Sequence, residues 1–131
     1  MPQTCVAIPV GGKVHLPFLA ATLDILRQSD VMISIGLDEA EASISLNNYA
    51  EVRALCEDKA HKVLYFPRES YYRPGGIWQK ILTCWEDSGC PFVRGVGYDD
   101  FVPAAGIAQQ EALLATQPEL MACYANLVTW F

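Results

Sequence analysis

The sequence is short of charge, and of positive charge above all. Charged residues are 18% of the 131, with 9 Lys and Arg against 15 Asp and Glu, for a formal net charge of −6. The cations are scattered singly from Lys13 to Arg94. Nucleic-acid binding draws its affinity from clustered Lys and Arg that neutralise phosphates, so this balance argues against a nucleic-acid partner. Long apolar runs are missing too. The longest are about four to six residues, where ~20 are needed to span a bilayer, so no membrane span is expected. Met1-Pro2-Gln3-Thr4 offers no positive region ahead of an apolar core, and no signal peptide is expected. The cysteines, Cys5, Cys56, Cys84, Cys90 and Cys123, are odd in number and contain no C-x-x-C pair. That excludes a disulfide framework as the organising feature and favours buried reduced thiols in a cytoplasmic protein. His15 and His61 have no metal-ligand spacing with each other or with a cysteine. Internal repeats and low-complexity linkers are absent.

What remains is rich in core-forming residues. Hydrophobic residues make up 52% of the chain, which at this length predicts one packed domain over residues 1–131. Short β-like runs alternate with helical periodicity. Cys5-Val6-Ala7-Ile8 reads as a buried strand closed by Pro9 and Gly11-Gly12, and Leu16, Leu19, Leu23 and Leu26 recur at helical spacing. Val31 to Ile35 is a second strand, ending at Gly36-Leu37. A helix over 47–59 places Tyr49, Val52, Leu55 and Cys56 on one face, with Asn47 or Asn48 as N-cap. Lys62 to Phe66 is a third strand. Ile77, Trp78, Ile81, Leu82 and Trp85 form the stripe of a third helix, both tryptophans assigned to the core, ending near Ser88-Gly89. Phe92-Val93 opens a fourth strand running towards Tyr98, Pro103 suits the start of a helix reaching about Thr116, and Leu120 to Trp130 reads as a fifth strand. The order β-α-β-α-β-α-β-α-β predicts an α/β three-layer sandwich with a mostly parallel sheet. In such folds ligands gather at the carboxyl ends of the strands, here a rim of residues 9–13, 37–41, 67–76 and 98–102.

The rim carries the chemistry. Asp99-Asp100 sets two carboxylates side by side at a strand end. They repel unless a cation lies beside them, and a hard divalent ion such as Mg²⁺ or Mn²⁺ bridging a diphosphate is one answer. The other reading is an N-cap for the helix near Pro103. In Asp38-Glu39-Ala40-Glu41 one acid suits a base or ribose contact, and Glu39 and Glu41 suit solvent. Arg68 and Arg73 suit bidentate phosphate contacts, ahead of the helix N-terminus opened by Gly75-Gly76. Gly11-Gly12-Lys13 lacks both P-loop and G-x-G-x-x-G spacing and reads as a tight turn. No G-x-S-x-G is present.

In order along the chain, these segments resemble the donor-binding half of a family 2 glycosyltransferase. Val6-Ala7-Ile8-Pro9-Val10 is similar to the opening V-x-I-P-V strand, and Gln28-Ser29-Asp30 with Val31 to Leu37 to the approach to the first acid. Arg73 and Gly75-Gly76 resemble an R-x-x-G segment, and Phe92-Val93 through Tyr98-Asp99-Asp100 to Pro103 the Y-V-x-x-x-x-x-D-D-x-x-x-P region. Pro118-Glu119-Leu120 resembles the N-P-E-L turn. The resemblance implies a GT-A fold, a nucleotide-diphosphate sugar as partner, and Mg²⁺ or Mn²⁺ as cofactor. It implies Asp100 as metal ligand and Pro9, Asp38, Arg73 and Asp99 as nucleotide contacts, with Asp38 at the base and Asp99 at the ribose. It implies sugar transfer with inversion. Three positions depart from the family: Gly11-Gly12 for Tyr-Asn, Asp38-Glu39-Ala40 for D-D-G-S, and Gly97 for the first Asp of D-x-D-D. The acceptor-binding half and its general base have no counterpart here, and no residue is nominated as base. The alternative is a non-catalytic binding or oligomerisation module pairing through the apolar edge Leu127 to Phe131. A flavodoxin-like or response-regulator reading is weakened by the lack of a phosphoacceptor Asp followed by Thr/Ser and Lys in order.

Overall fold

The computed structural model describes residues 2–12, 14–40, 48–100 and 102–123. Their order is β1 (Thr4–Val10), α1 (Leu16–Leu26), β2 (Met32–Asp38), α2 (Tyr49–Lys59), β3 (Lys62–Phe66), a 3-10 turn (Ser70–Tyr72), α3 (Gly76–Ser88), β4 (Phe92–Gly95) and α4 (Ala104–Thr116). The four strands form one all-parallel sheet in the order β3-β2-β1-β4. The chain therefore steps outward from β1 to β3 and then returns to the other side of β1. That reversal leaves a switch point between the carboxyl ends of β1 and β4.

The central strands explain their own sequences. All seven residues of β1 are buried and six of seven in β2, because both faces of each are covered. On one face Val6, Ile8, Val10, Ile33, Ile35 and Leu37 pack with Leu19, Leu23 and Leu26 of α1, Val52 and Cys56 of α2, and Ile107 of α4. On the other, Cys5 and Ala7 meet Cys84, Ile81 and Trp85 of α3. Helices thus cover both faces, giving the expected three-layer α/β arrangement. β3 is only half-buried, as its place at the sheet edge dictates.

Several expectations need revising. Trp78 is 70% exposed, with Ile77 and Leu82 also at the surface, because α3 turns Gly76, Lys80 and Cys84 inward. The helical stripe is real, but the buried line runs alongside it. β4 ends at Gly95 rather than near Tyr98. Val96 N–H still donates to Ala7 O at 3.0 Å, and the chain then enters a turn in which Asp100 N–H donates to Gly97 O at 3.1 Å. Leu120 to Cys123 form no strand, and the remainder of that fifth strand, with the Leu127–Phe131 edge, lies outside the described residues, as do Lys13, Glu41 and Asn47. Asn48 takes the N-cap position of α2, but its side-chain amide donates to Val14 O instead of capping. Gly89 ends α3 at φ 69, the left-handed conformation expected of it. Among the described cysteines all are free, four of them buried. No helix among the described residues is long and apolar enough to cross a membrane.

Candidate functional site

The carboxyl-end rim is organised by a buried ion pair. Lys80 on α3 is 1% exposed and Asp38, the last residue of β2, 2%. The ammonium pairs with Asp38 Oδ1 and donates to the carbonyls of Val10 and Gly36, each at 3.0 Å. One cation thus ties together the ends of β1 and β2. Burial pushes the Lys80 pKa below its ordinary value, and the bond to Asp38 opposes that push. The second carboxylate oxygen, Oδ2, accepts the Tyr71 N–H at 3.0 Å, which pins the 3-10 turn over the rim.

Close approach of that turn explains the glycines at the end of β1. A Cβ on Gly11 would lie 2.4 Å from Tyr71 Cβ and 2.8 Å from Asp38 Oδ2. One on Gly12, at φ 69, would lie 1.8 Å from the Tyr72 hydroxyl. Gly76 has the same character, with Ser70 O at 1.9 Å. The turn itself enters through Glu69 at φ 65, a left-handed conformation that a non-glycine residue holds only when its surroundings fix it.

Asp99 and Asp100 lie across the switch point, both exposed. The turn is closed by Gly97 N–H donating to Asp100 Oδ2 at 3.2 Å, and Thr22 of α1 donates its hydroxyl to Asp100 O at 3.2 Å. Neither acid caps α4: Pro103 occupies the N-cap position and no side chain caps that end. The capping reading therefore falls. Tyr71 and Tyr98 both have phenol pKa values raised, first by burial. For Tyr71 the next causes are Tyr98, Tyr72, Asp99 and Asp100, and for Tyr98 they are Asp99 and Tyr72. The two acids and three phenols thus share one electrostatic neighbourhood, and the phenols of Tyr71 and Tyr98 keep their protons as donors at neutral pH.

The remaining nominated residues sit at different depths. Pro9 is buried within β1, past Ala7, the last residue paired with β4. Ala7 O faces β4, so the backbone N–H and C=O groups of the odd-numbered residues of β1 point that way, and the missing N–H of Pro9 costs no ladder bond there. Arg73 is exposed at the end of the 3-10 turn, its carbonyl accepting the Gly76 N–H at 2.8 Å, and its guanidinium meets no acid among the described residues. Arg68 lies 3.7 Å from Glu69. Beside Asp38, a shallow cleft of about 10 Å³, room for about one water, is bounded by Val10, Gly11, Gly12, Leu37, Asn48 and Tyr49.

The geometry therefore brings Asp38, Asp99, Asp100 and the Arg73 turn to one rim, while Asp38 is engaged by Lys80 and Tyr71. Sequence reasoning missed Lys80, Tyr71, Tyr72 and Tyr98. The available signal for Lys80 was its position four residues from both Gly76 and Cys84, a second helical line beside the apolar stripe. His61, set aside as a metal ligand, has a plain role: its Nδ1 accepts the Ile33 N–H at 2.9 Å. Among the described residues no group of three or more His, Cys, Asp or Glu is placed to enclose a metal by itself. No family model matches the chain, and no curated protein is significantly similar to it.

Proposed function

We propose that the chain is a nucleotide-diphosphate-sugar-binding domain of the GT-A kind, akin to the donor half of family 2 glycosyltransferases. The observation that carries this reading is the state of Asp100. Its backbone and one carboxylate oxygen are fixed by Thr22 and Gly97, while Oδ1 accepts no hydrogen bond from the described residues and α4 does not use it. A fixed exposed carboxylate next to a second one, at the switch point of a parallel sheet, is a site for a cation that arrives with its anion.

The donor set fits Mg²⁺ or Mn²⁺ on those terms. Mg²⁺ keeps several waters and is held by one or two carboxylates together with substrate phosphates, so the lack of a third protein ligand is no obstacle. When bound, the ion would neutralise the diphosphate leaving group. Asp100 would hold it and Asp99 would face the ribose. Arg73 would reach the phosphates. Tyr71 and Tyr98 add neutral hydroxyl donors to that surface. Asp38 serves this arrangement through Tyr71, by holding the turn in place. Transfer of the sugar with inversion requires a general base, and this reading assigns that role to no residue of the chain.

The test is thermal unfolding with nucleoside diphosphates and Mn²⁺. A ligand that binds only the folded state must raise Tm, and the rise should vanish in Asp100→Ala. No shift with any nucleotide would overturn the reading. A non-catalytic module that associates through an apolar face then becomes the better description. Ile77, Trp78 and Leu82, exposed together on α3, favour that second reading, and light scattering that finds only monomer would count against it.

A further inference from the structure

Asp38 is the residue that the resemblance sets against the base, and the fold encloses it. Oδ1 pairs with the Lys80 ammonium and Oδ2 accepts the Tyr71 N–H at 3.0 Å, so each oxygen already has a partner within the chain. The end of β1 closes in beside them. A Cβ on Gly11 would come 2.8 Å from Oδ2, and Tyr71 packs against the same glycine. The ammonium is as fully committed. Besides Asp38 it donates to Val10 O and Gly36 O, which occupies all three of its N–H groups. The rings of Phe66 and Tyr71 stand over it, centroids 5.1 and 5.8 Å away. Both members of the pair are buried, and the cleft beside Asp38 has room for about one water.

Releasing this carboxylate to a ligand would leave a buried ammonium uncompensated, which costs more than one hydrogen bond to a base contributes. Asp99, Asp100 and Arg73, by contrast, stay exposed on the same rim. They suit a metal and phosphates, which every nucleoside diphosphate carries alike. We infer that Lys80 closes the base subsite by holding Asp38, so that the rim takes nucleoside diphosphates through their diphosphate without choosing among bases. This rests on the nucleotide-binding reading above and narrows its substrate class to diphosphates as such. Discrimination needs a group whose interaction differs between two ligands. The carboxylate in the place for that is held by a lysine instead.

The experiment measures affinities of the full chain, with Mn²⁺, for inorganic pyrophosphate and for uridine, cytidine, adenosine and guanosine diphosphates. The four nucleotides should bind within about 5-fold of one another, because the part recognised is common to them. Pyrophosphate should displace each of them. The same narrow spread should persist in Asp38→Asn combined with Lys80→Met, whatever loss the four share, since that variant removes both charges and nearly keeps both volumes. A wider spread in the parent protein overturns the inference and leaves the diphosphate site standing, whether or not the double variant folds. A loss in the folded double variant that is confined to one nucleotide overturns it too, because Asp38 would then be reading a base. Nucleotide binding that pyrophosphate cannot displace has the same consequence. A parent that binds neither pyrophosphate nor any nucleotide removes the donor-binding reading itself, and this inference with it.

Discussion

Lys80 and Asp38 bury opposite charges where an apolar pair would pack at lower desolvation cost, so their value lies in what they hold. With both side chains nearly inaccessible, removing one partner leaves the other charge uncompensated. Asp38→Ala should therefore cost about 3–5 kcal/mol in urea unfolding. Asp38→Ala combined with Lys80→Met should cost clearly less than the two single changes summed, because the double variant leaves no orphaned charge. Strict additivity would show that the pair is not coupled. Asp38 is also where residue-level reading of the sequence reached its limit. An acid at a strand end reads the same whether it faces a ligand or a lysine from a helix 42 positions further on. The contact is made by tertiary structure alone, and nothing local to Asp38 announces it.

At the scale of elements, glycines separate two kinds of constraint. Gly89 at the end of α3 has φ 69 and open space around its Cα, so Gly89→Ala meets only conformational cost, about 1 kcal/mol or roughly 4 °C in Tm. Gly76 at the start of the same helix would put a Cβ 1.9 Å from the Ser70 carbonyl, and backbone cannot swing aside as a side chain can. Gly76→Ala should cost distinctly more and displace the 3-10 turn; equal losses in a melting comparison would contradict this. The Gly89 stop was readable because helix termination is local chemistry, and the Lys62–Phe66 strand because its apolar run is bounded by Pro67. Trp78 was not readable in the same way. Its stripe has helical period, but period alone does not say which line of an apolar-rich helix meets the sheet. The small Gly76 and Cys84 allow the closer approach, so α3 rolls onto them and Trp78 is left in solvent.

At the scale of the molecule, the buried thiols set the behaviour in alkali. Burial pushes Cys5 up to about 11 and Cys56 up to about 12 from 9.0, and raises Cys84 in the same direction. A folded-state pKa above the unfolded one means that the unfolded chain loses the proton first. The stabilisation is whole below pH 9 and drains away as pH rises through 9 to 12. Lys80 runs the other way, since burial depresses its folded pKa below 10.5, but it is one group against three thiols. Tm should therefore fall between pH 9 and 11, and the fall should be shallower in Cys56→Ala even though that variant starts lower. A flat profile would contradict the burial of these thiols. The alternation of strands and helices made the parallel three-layer arrangement legible, and with it the rim where Asp99 and Asp100 meet the 3-10 turn. The Gly97 contact of Asp100 is local, but Thr22, which holds its backbone, and the 3-10 turn opposite belong to distant segments and became visible only when the sheet order β3-β2-β1-β4 folded the chain back on itself. The most direct test of the donor-site account is calorimetric titration of the full chain with nucleoside diphosphates in the presence and absence of Mn²⁺. The account predicts saturable, metal-dependent binding that Asp100→Ala abolishes and Asp24→Ala, a surface acid on α1 paired with Lys59, leaves intact. Metal-independent binding, or binding untouched by Asp100→Ala, would contradict it.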